Sequence, residues 1–236
     1  MNRIAVVAAM ESELAPLVKG WNRETLRAGE RSVQCFLKDD VIAVAGGIGA
    51  SSAEATAGAL VERYRPEFLV SAGLAGALTN DLRAGSVVLP ELVVDAATGA
   101  EYACENFTKA VPGAVLVTAA VVASQQTKSE LAQKFHASIV DMEAAGVARA
   151  AQEKGIAFRC VKAISDERSF LMPPMGRCVR HGEFQTAGFL CWLAVHPWYW
   201  GPTVALARNS ARASRALCDW LALNLGAQFH TAELLH

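Results

Sequence analysis

Short apolar runs and amphipathic stretches alternate along this chain. The runs cover residues 4–9, 33–37, 41–45, 68–72, 86–94, 114–122, 138–140 and 158–164 and are rich in Val, Ile, Leu and Ala. Most lack the every-second-residue polarity of a strand with one wet face, so they read as strands covered on both sides. Residues 51–65, 126–135, 143–154, 184–194 and 203–225 instead repeat apolar positions at helical spacing. This alternation predicts an α/β fold, a central mixed, largely parallel sheet flanked by helices, formed as a single domain over 1–236. Lys38-Asp39-Asp40, between the second and third runs, predicts a hairpin. Residues 167–182, broken by Pro173, Pro174 and Gly176, show no period and read as a long loop folded over something.

Composition narrows the classes. Hydrophobic residues make up 53% of the chain and charged residues 19%, ample for a large core. A net charge of -1 gives the chain as a whole no attraction for nucleic acid or anionic lipid. Cys35, Cys104, Cys160, Cys178, Cys191 and Cys218 show neither a CxxC pair nor metal-ligand spacing, so they read as reduced thiols. With the five histidines also dispersed, no metal or organic cofactor is indicated. The first run ends at Glu11 and Glu13, which suits a buried strand better than a secretory segment. No run reaches the roughly 18 apolar residues of a membrane span. The expected location is cytoplasmic, without stable membrane insertion. Trp192, Trp198, Tyr199 and Trp200 gather around Pro197. They suit a helix corner packed on the core or in a subunit interface, or else a wall for an apolar substrate or a patch for transient membrane contact.

Candidate chemistry lies where strands are predicted to end, the edge at which open α/β sheets bind ligands. Met10-Glu11-Ser12-Glu13 follows the first run, Val140-Asp141-Met142-Glu143 a short one, and Ile164-Ser165-Asp166-Glu167 the last. Each acid alone reads as a helix cap. Three such exits in one chain suit cleavage of an N-glycosidic bond, whose oxocarbenium-like transition state carboxylates stabilise. A purine leaves more readily once protonated, and a partly desolvated Asp could hold that proton. Gly46-Gly47-Ile48-Gly49 forms a strand-to-helix turn whose amides could face a sugar or an anion, although Ser52 breaks the dinucleotide fingerprint. Gly73-Leu74-Ala75-Gly76 allows close backbone approach.

Met-Glu-x-Glu, Gly-Ile-Gly, Asp-Met-Glu-Ala and Ala-Ile-Ser-Asp, in this order over roughly residues 1–166, resemble the bacterial 5′-methylthioadenosine/S-adenosylhomocysteine nucleosidases of the purine nucleoside phosphorylase family. The resemblance implies that Glu13 positions the attacking water and that Met142 and Glu143 bind the ribose. Asp166, helped by Ser165, would serve the purine ring nitrogen. It also implies a homodimer or higher homo-oligomer and a small purine nucleoside substrate, with adenine the expected base. Gly73 and Leu74 stand where the family carries Gly-Ser, so a hydroxyl beside the nucleophile is lost. Val122, next to Ala123, stands where an aromatic stacks on adenine. Gly47 and Gly49 are candidates for the nucleophile or anion site, and Phe170 for the substrate wall. The chain after residue 166 resembles the subgroup called hopanoid-associated phosphorylases, which implies adenosylhopane as substrate. Between water and phosphate, Glu11 and Glu13 at the first strand exit favour water, because a phosphate dianion would meet like charge there. Arg168, Arg177 and Arg180 could reverse that by entering from the loop. A family member that binds a nucleoside without turnover is the reading outside enzymes.

Overall fold

The structure, a computed structural model, describes residues 3–105, 114–180 and 183–231. Its core is β1 (Ile4–Ala8), a strand buried along its whole length. The pleat sends Ala5 and Val7 toward a core shared with helices α2 (Ala50–Tyr64) and α4 (Ala144–Lys154). Ile4, Val6 and Ala8 face the other way, onto Leu14 of the short helix α1 (Glu11–Leu14) and onto Ala213, Leu217 and Leu221 of α6 (Trp200–Thr231). A third core seats α3 (Gln125–Phe135) beside Val117 and Val140. Both faces of the sheet are therefore covered, which is why the strands read as apolar runs.

The sheet is mixed. An antiparallel meander of β2 (Asn22–Ala28), β3 (Arg31–Lys38) and β4 (Val41–Ala45) brings β4 parallel against β1, and includes the expected hairpin. On the other side of β1 lies β5 (Phe68–Ala77), parallel and ten residues long. It continues to Ala77, well past the 68–72 expected. Its first half pairs with β1 and its far end, antiparallel, with β10 (Ile139–Asp141). Along its other edge runs β11 (Ala157–Asp166), parallel to it throughout. Beyond β10 follow β9 (Val115–Thr118), β7 (Leu92–Asp95) and β8 (Glu101–Ala103).

Several expected boundaries differ. The run 86–94 is two strands, β6 (Val87–Val88) on β11 and β7, with Pro90 between them unable to donate to a ladder. The run 114–122 leaves the sheet after Thr118, where the Ala119 amide turns to the Asp141 carbonyl. After β11 come a short 3-10 turn, the pair β12 (Val179–Arg180) and β13 (Glu183–Phe184), and α5 (Thr186–Ala194).

Candidate active site

β1 and β11, which run parallel to β5, and β10, which runs antiparallel to it, all lead into a cavity of about 300 Å³. Glu13 enters it from α1, Met142 and Glu143 from the β10 exit, Ser165 and Asp166 from the end of β11, and Leu74 from β5. Neighbouring residues of a strand normally face opposite ways. Here the pairing of β11 with β5 shifts register between Ile164 and Asp166, and this bulge lets both Ser165 and Asp166 line the cavity. A Cβ on Gly76 would come within 3.0 Å of Asp166 Oδ2, so a bare backbone is what admits that carboxyl.

Glu13 is buried and held by backbone. The Ala9 and Met10 amides donate to its Oε2 at 2.9 and 3.1 Å, and the Leu74 amide approaches its Oε1 at 3.4 Å. The Met10 bond is half of a helix capping box, so one carboxylate both starts α1 and faces the cavity. Burial pushes the Glu13 carboxyl above its ordinary range, against those amides and the nearby Lys162 ammonium. Glu143 accepts from the Gly49 amide at 2.8 Å and from its neighbour Met142 at 3.3 Å. Burial, with the negative charge of Asp141 behind it, pushes its carboxyl up to about 8.

Beneath the acids lies a buried polar network. Asp141 accepts from the Thr118 hydroxyl at 2.7 Å and the Ala144 amide at 2.9 Å, and pairs with Lys162 at 2.8 Å. Lys162 also donates to the Ser71 hydroxyl at 3.0 Å. The carboxylates around it raise the Lys162 ammonium above its ordinary range despite its burial. On the far side, Ser165 donates to Asp166 Oδ1 at 2.6 Å, while Lys128 of α3 contacts Asp166 Oδ2 and donates to the Glu167 carbonyl at 2.9 Å. Lys128 is itself buried and lines the cavity.

Of the residues singled out from sequence, Glu13, Leu74, Val122, Ala123, Met142, Glu143, Ser165 and Asp166 all line this cavity. Gly73 lies beneath it, its Cα side facing Glu13 and Lys162. Phe170 is not in the lining; Met172 and Met175 of the same loop are. Gly47 and Gly49 are also outside it. Gly47 packs on the Arg31 guanidinium, which donates to the Gly46 carbonyl at 3.1 Å, and the acceptor that the Gly49 amide meets is the protein's own Glu143. The aromatic cluster stacks on itself, Trp192 on His196 with ring centres 4.1 Å apart, and none of its members lines the cavity. The Arg177 and Arg180 side chains lie outside the described residues. Lys128 and Lys162 were not singled out at all.

The chain matches the model of the phosphorylase superfamily over residues 3–108 and 94–172. It belongs to the phosphorylase superfamily. A 5′-methylthioadenosine/S-adenosylhomocysteine nucleosidase of Shewanella piezotolerans is 25% identical over 197 residues, covering 70% of this chain and 86% of that protein. The equivalent nucleosidase of a Geobacillus species is 26% identical over 202 residues, covering 70% and 85%. Among solved structures, the Helicobacter pylori 5′-methylthioadenosine/S-adenosylhomocysteine nucleosidase superposes with a TM-score of 0.72 at 17% identity, over 96% of this chain and 98% of that one. The futalosine hydrolase of the same organism gives 0.71 at 16% identity, over the same shares. The superfamily match stops at residue 172, so Met175, Phe184, Leu206 and Ser210, which complete the cavity, all lie beyond it.

Proposed function

We propose that this protein hydrolyses the N-glycosidic bond of a purine nucleoside, adenine being the expected base, that carries an apolar 5′ substituent. The observation that supports this most is the meeting of Glu13, Glu143 and Asp166, from three strand exits, in one largely apolar cavity. Its relatives are nucleosidases by name, which fits. In the proposed reaction Glu13 takes a proton from water as the water oxygen attacks C1′. The C1′–N9 bond breaks, its electron pair passes to the purine, and a proton from the Asp166 cluster neutralises the leaving base. Free purine and free sugar result. A carboxyl raised toward neutrality is a stronger base than an ordinary one and accepts that proton more readily. Glu143 would bind ribose hydroxyls, and the remaining carboxylate charge would stabilise the oxocarbenium-like sugar.

Two features favour water over phosphate. Glu13 in the deprotonated form that the reaction needs would repel a dianion in a low-dielectric cavity, and Leu74 offers the site an amide but no hydroxyl. Met10, Met172, Met175, Phe184 and Leu206 give the rest of the cavity an apolar lining suited to an alkyl or lipid-like 5′ group, as in adenosylhopane. Purine release from adenosine, methylthioadenosine and a series of longer 5′-alkylthioadenosines, with and without phosphate, tests the reading. The free sugar should be the product, ribose from adenosine and the 5-alkylthioribose from the others, kcat/KM should rise with chain length, and Glu13→Gln should lower kcat at least about 100-fold. A sugar 1-phosphate formed by a fully active Glu13→Gln variant would refute hydrolysis.

A further inference from the structure

The segment that completes the cavity also carries an apolar surface that nothing in the described structure covers. Helix α5 buries only Phe189. Of the exposed large hydrophobic side chains among the described residues, five fall between residues 190 and 204: Leu190, Val195, Trp198, Trp200 and Val204. Val195 is 68% exposed, Trp198 66% and Trp200 53%. Trp200 donates its indole N–H to the Leu193 carbonyl at 2.8 Å. Its polar edge is thereby satisfied within the protein, while much of its surface stays exposed.

Along this stretch of chain the charge has one sign. From residue 184 to residue 218 the only charged side chains are Arg208, Arg212 and Arg215, with no Asp or Glu, although the whole chain has a net charge of -1. Helical spacing orders them. Trp200, Val204, Arg208, Ala211 and Arg215 fall on one stripe of α6 and are all exposed. Leu206, Ser210, Ala213 and Leu217, on the opposite stripe, face the cavity and the core. The outward stripe thus passes from tryptophan and valine to arginine. A water-soluble protein partner of mixed charge has no need of that order. An anionic lipid surface fits it, taking Trp and aliphatic groups at the headgroup boundary and arginines against lipid phosphates.

Aromatic contacts join this surface to the cavity. Phe184, which lines the cavity, lies 5.5 Å from Phe189 between ring centres, and Phe189 stacks on Trp192 at 6.2 Å. We propose that the face formed by α5, Trp198 and the start of α6 docks reversibly on an anionic lipid bilayer, placing the apolar end of the cavity beside the membrane. Docking does not depend on which reaction the acids catalyse, so it stands or falls separately from the hydrolase reading.

Co-sedimentation of the full chain with vesicles tests it, using phosphatidylcholine alone or in equal parts with phosphatidylglycerol. Binding should require phosphatidylglycerol, weaken as salt rises, and fall at least about tenfold in the Trp198→Ser/Trp200→Ser variant. Arg208→Gln and Arg215→Gln should each weaken it about fivefold. Thermal melting and purine release from a soluble nucleoside should match wild type in all four substitutions, which separates lost docking from lost folding. Absence of binding to anionic vesicles, or binding indifferent to both sets of substitutions, overturns the proposal. So does a dimer in solution that the tryptophan substitutions convert to monomer, since the face would then be covered by a second copy.

Discussion

Withdrawing an ammonium and a carboxylate from water costs several kcal/mol each unless they meet, and at the β11 exit Lys128 and Asp166 do meet. Asp166 therefore sits in a cluster with Lys128 and Ser165, where the sequence suggested a partly desolvated acid helped by Ser165 alone. Removing one member should be costly. Lys128→Met is expected to lower stability by about 3–5 kcal/mol, because it leaves a buried charge unpaired. The double variant Lys128→Met/Asp166→Asn should regain much of that while staying inactive. Calorimetry of the two variants checks this, and a double variant no more stable than the single one would break the argument. The acids were legible in the sequence because Glu13, Glu143 and Asp166 directly follow apolar runs, where a charge is out of place. Lys162 offered a similar signal, a cation inside the run 158–164. Lys128 offered none, since it sits among polar neighbours on α3 and owes its burial to a strand end 38 residues away in sequence.

Elements reach the site through close crossings. Helices α2 and α4 pack so tightly that a Cβ on Gly146 would lie 1.9 Å from the Ala50 carbonyl oxygen. Backbone cannot yield as a flexible side chain can, so Gly146→Ala should destabilise the fold by about 1–3 kcal/mol or more. The amide of Gly146 also bonds the Glu143 carbonyl, so the crossing fixes where Glu143 begins its helix. Kinetics should accordingly show a raised KM alongside the lowered melting temperature, and a variant with wild-type melting would contradict the clash. At this scale the strongly patterned elements were readable and the weakly patterned ones were not. β2 (NRETLRA) is mostly exposed and polar, and it is a strand because β3 offers it a full antiparallel ladder. β8 has only three residues. The bulge that turns Ser165 and Asp166 to the same side arises from pairing with β5, a long-range event without a local signature.

For the molecule as a whole, the raised carboxyls of Glu13 and Glu143 tie stability to pH. Both are raised in the folded state, so the native protein holds protons that the unfolded chain has released. Their contribution is fully present below the ordinary carboxylate value of 4.5 and is lost as pH rises through their raised values, about 8 for Glu143. The melting temperature should therefore fall between pH 5 and 8.5, and fall less in Glu143→Gln; equal slopes in the two proteins would remove Glu143 as the cause. The alternation of strands and helices sufficed to foresee an α/β fold with its acids at one edge. It could not show which loop residues reach the cavity, because the path after β11 is set by long-range packing, its 3-10 turn lying against α5. The forked strand β5 has a further consequence. Bonded along one edge to β11 and along the other to β1 and β10, it belongs to the part of a fold whose amides exchange with solvent only on global opening, and its Leu74 N–H points at Glu13. Met172, Met175 and Phe184 lie outside that strand's sheet, and α5 behind them buries a single side chain. The apolar wall of the cavity and the frame that holds the carboxylates thus fall to two tiers of one chain, so a substitution in the first should leave amide exchange in β5 unaltered.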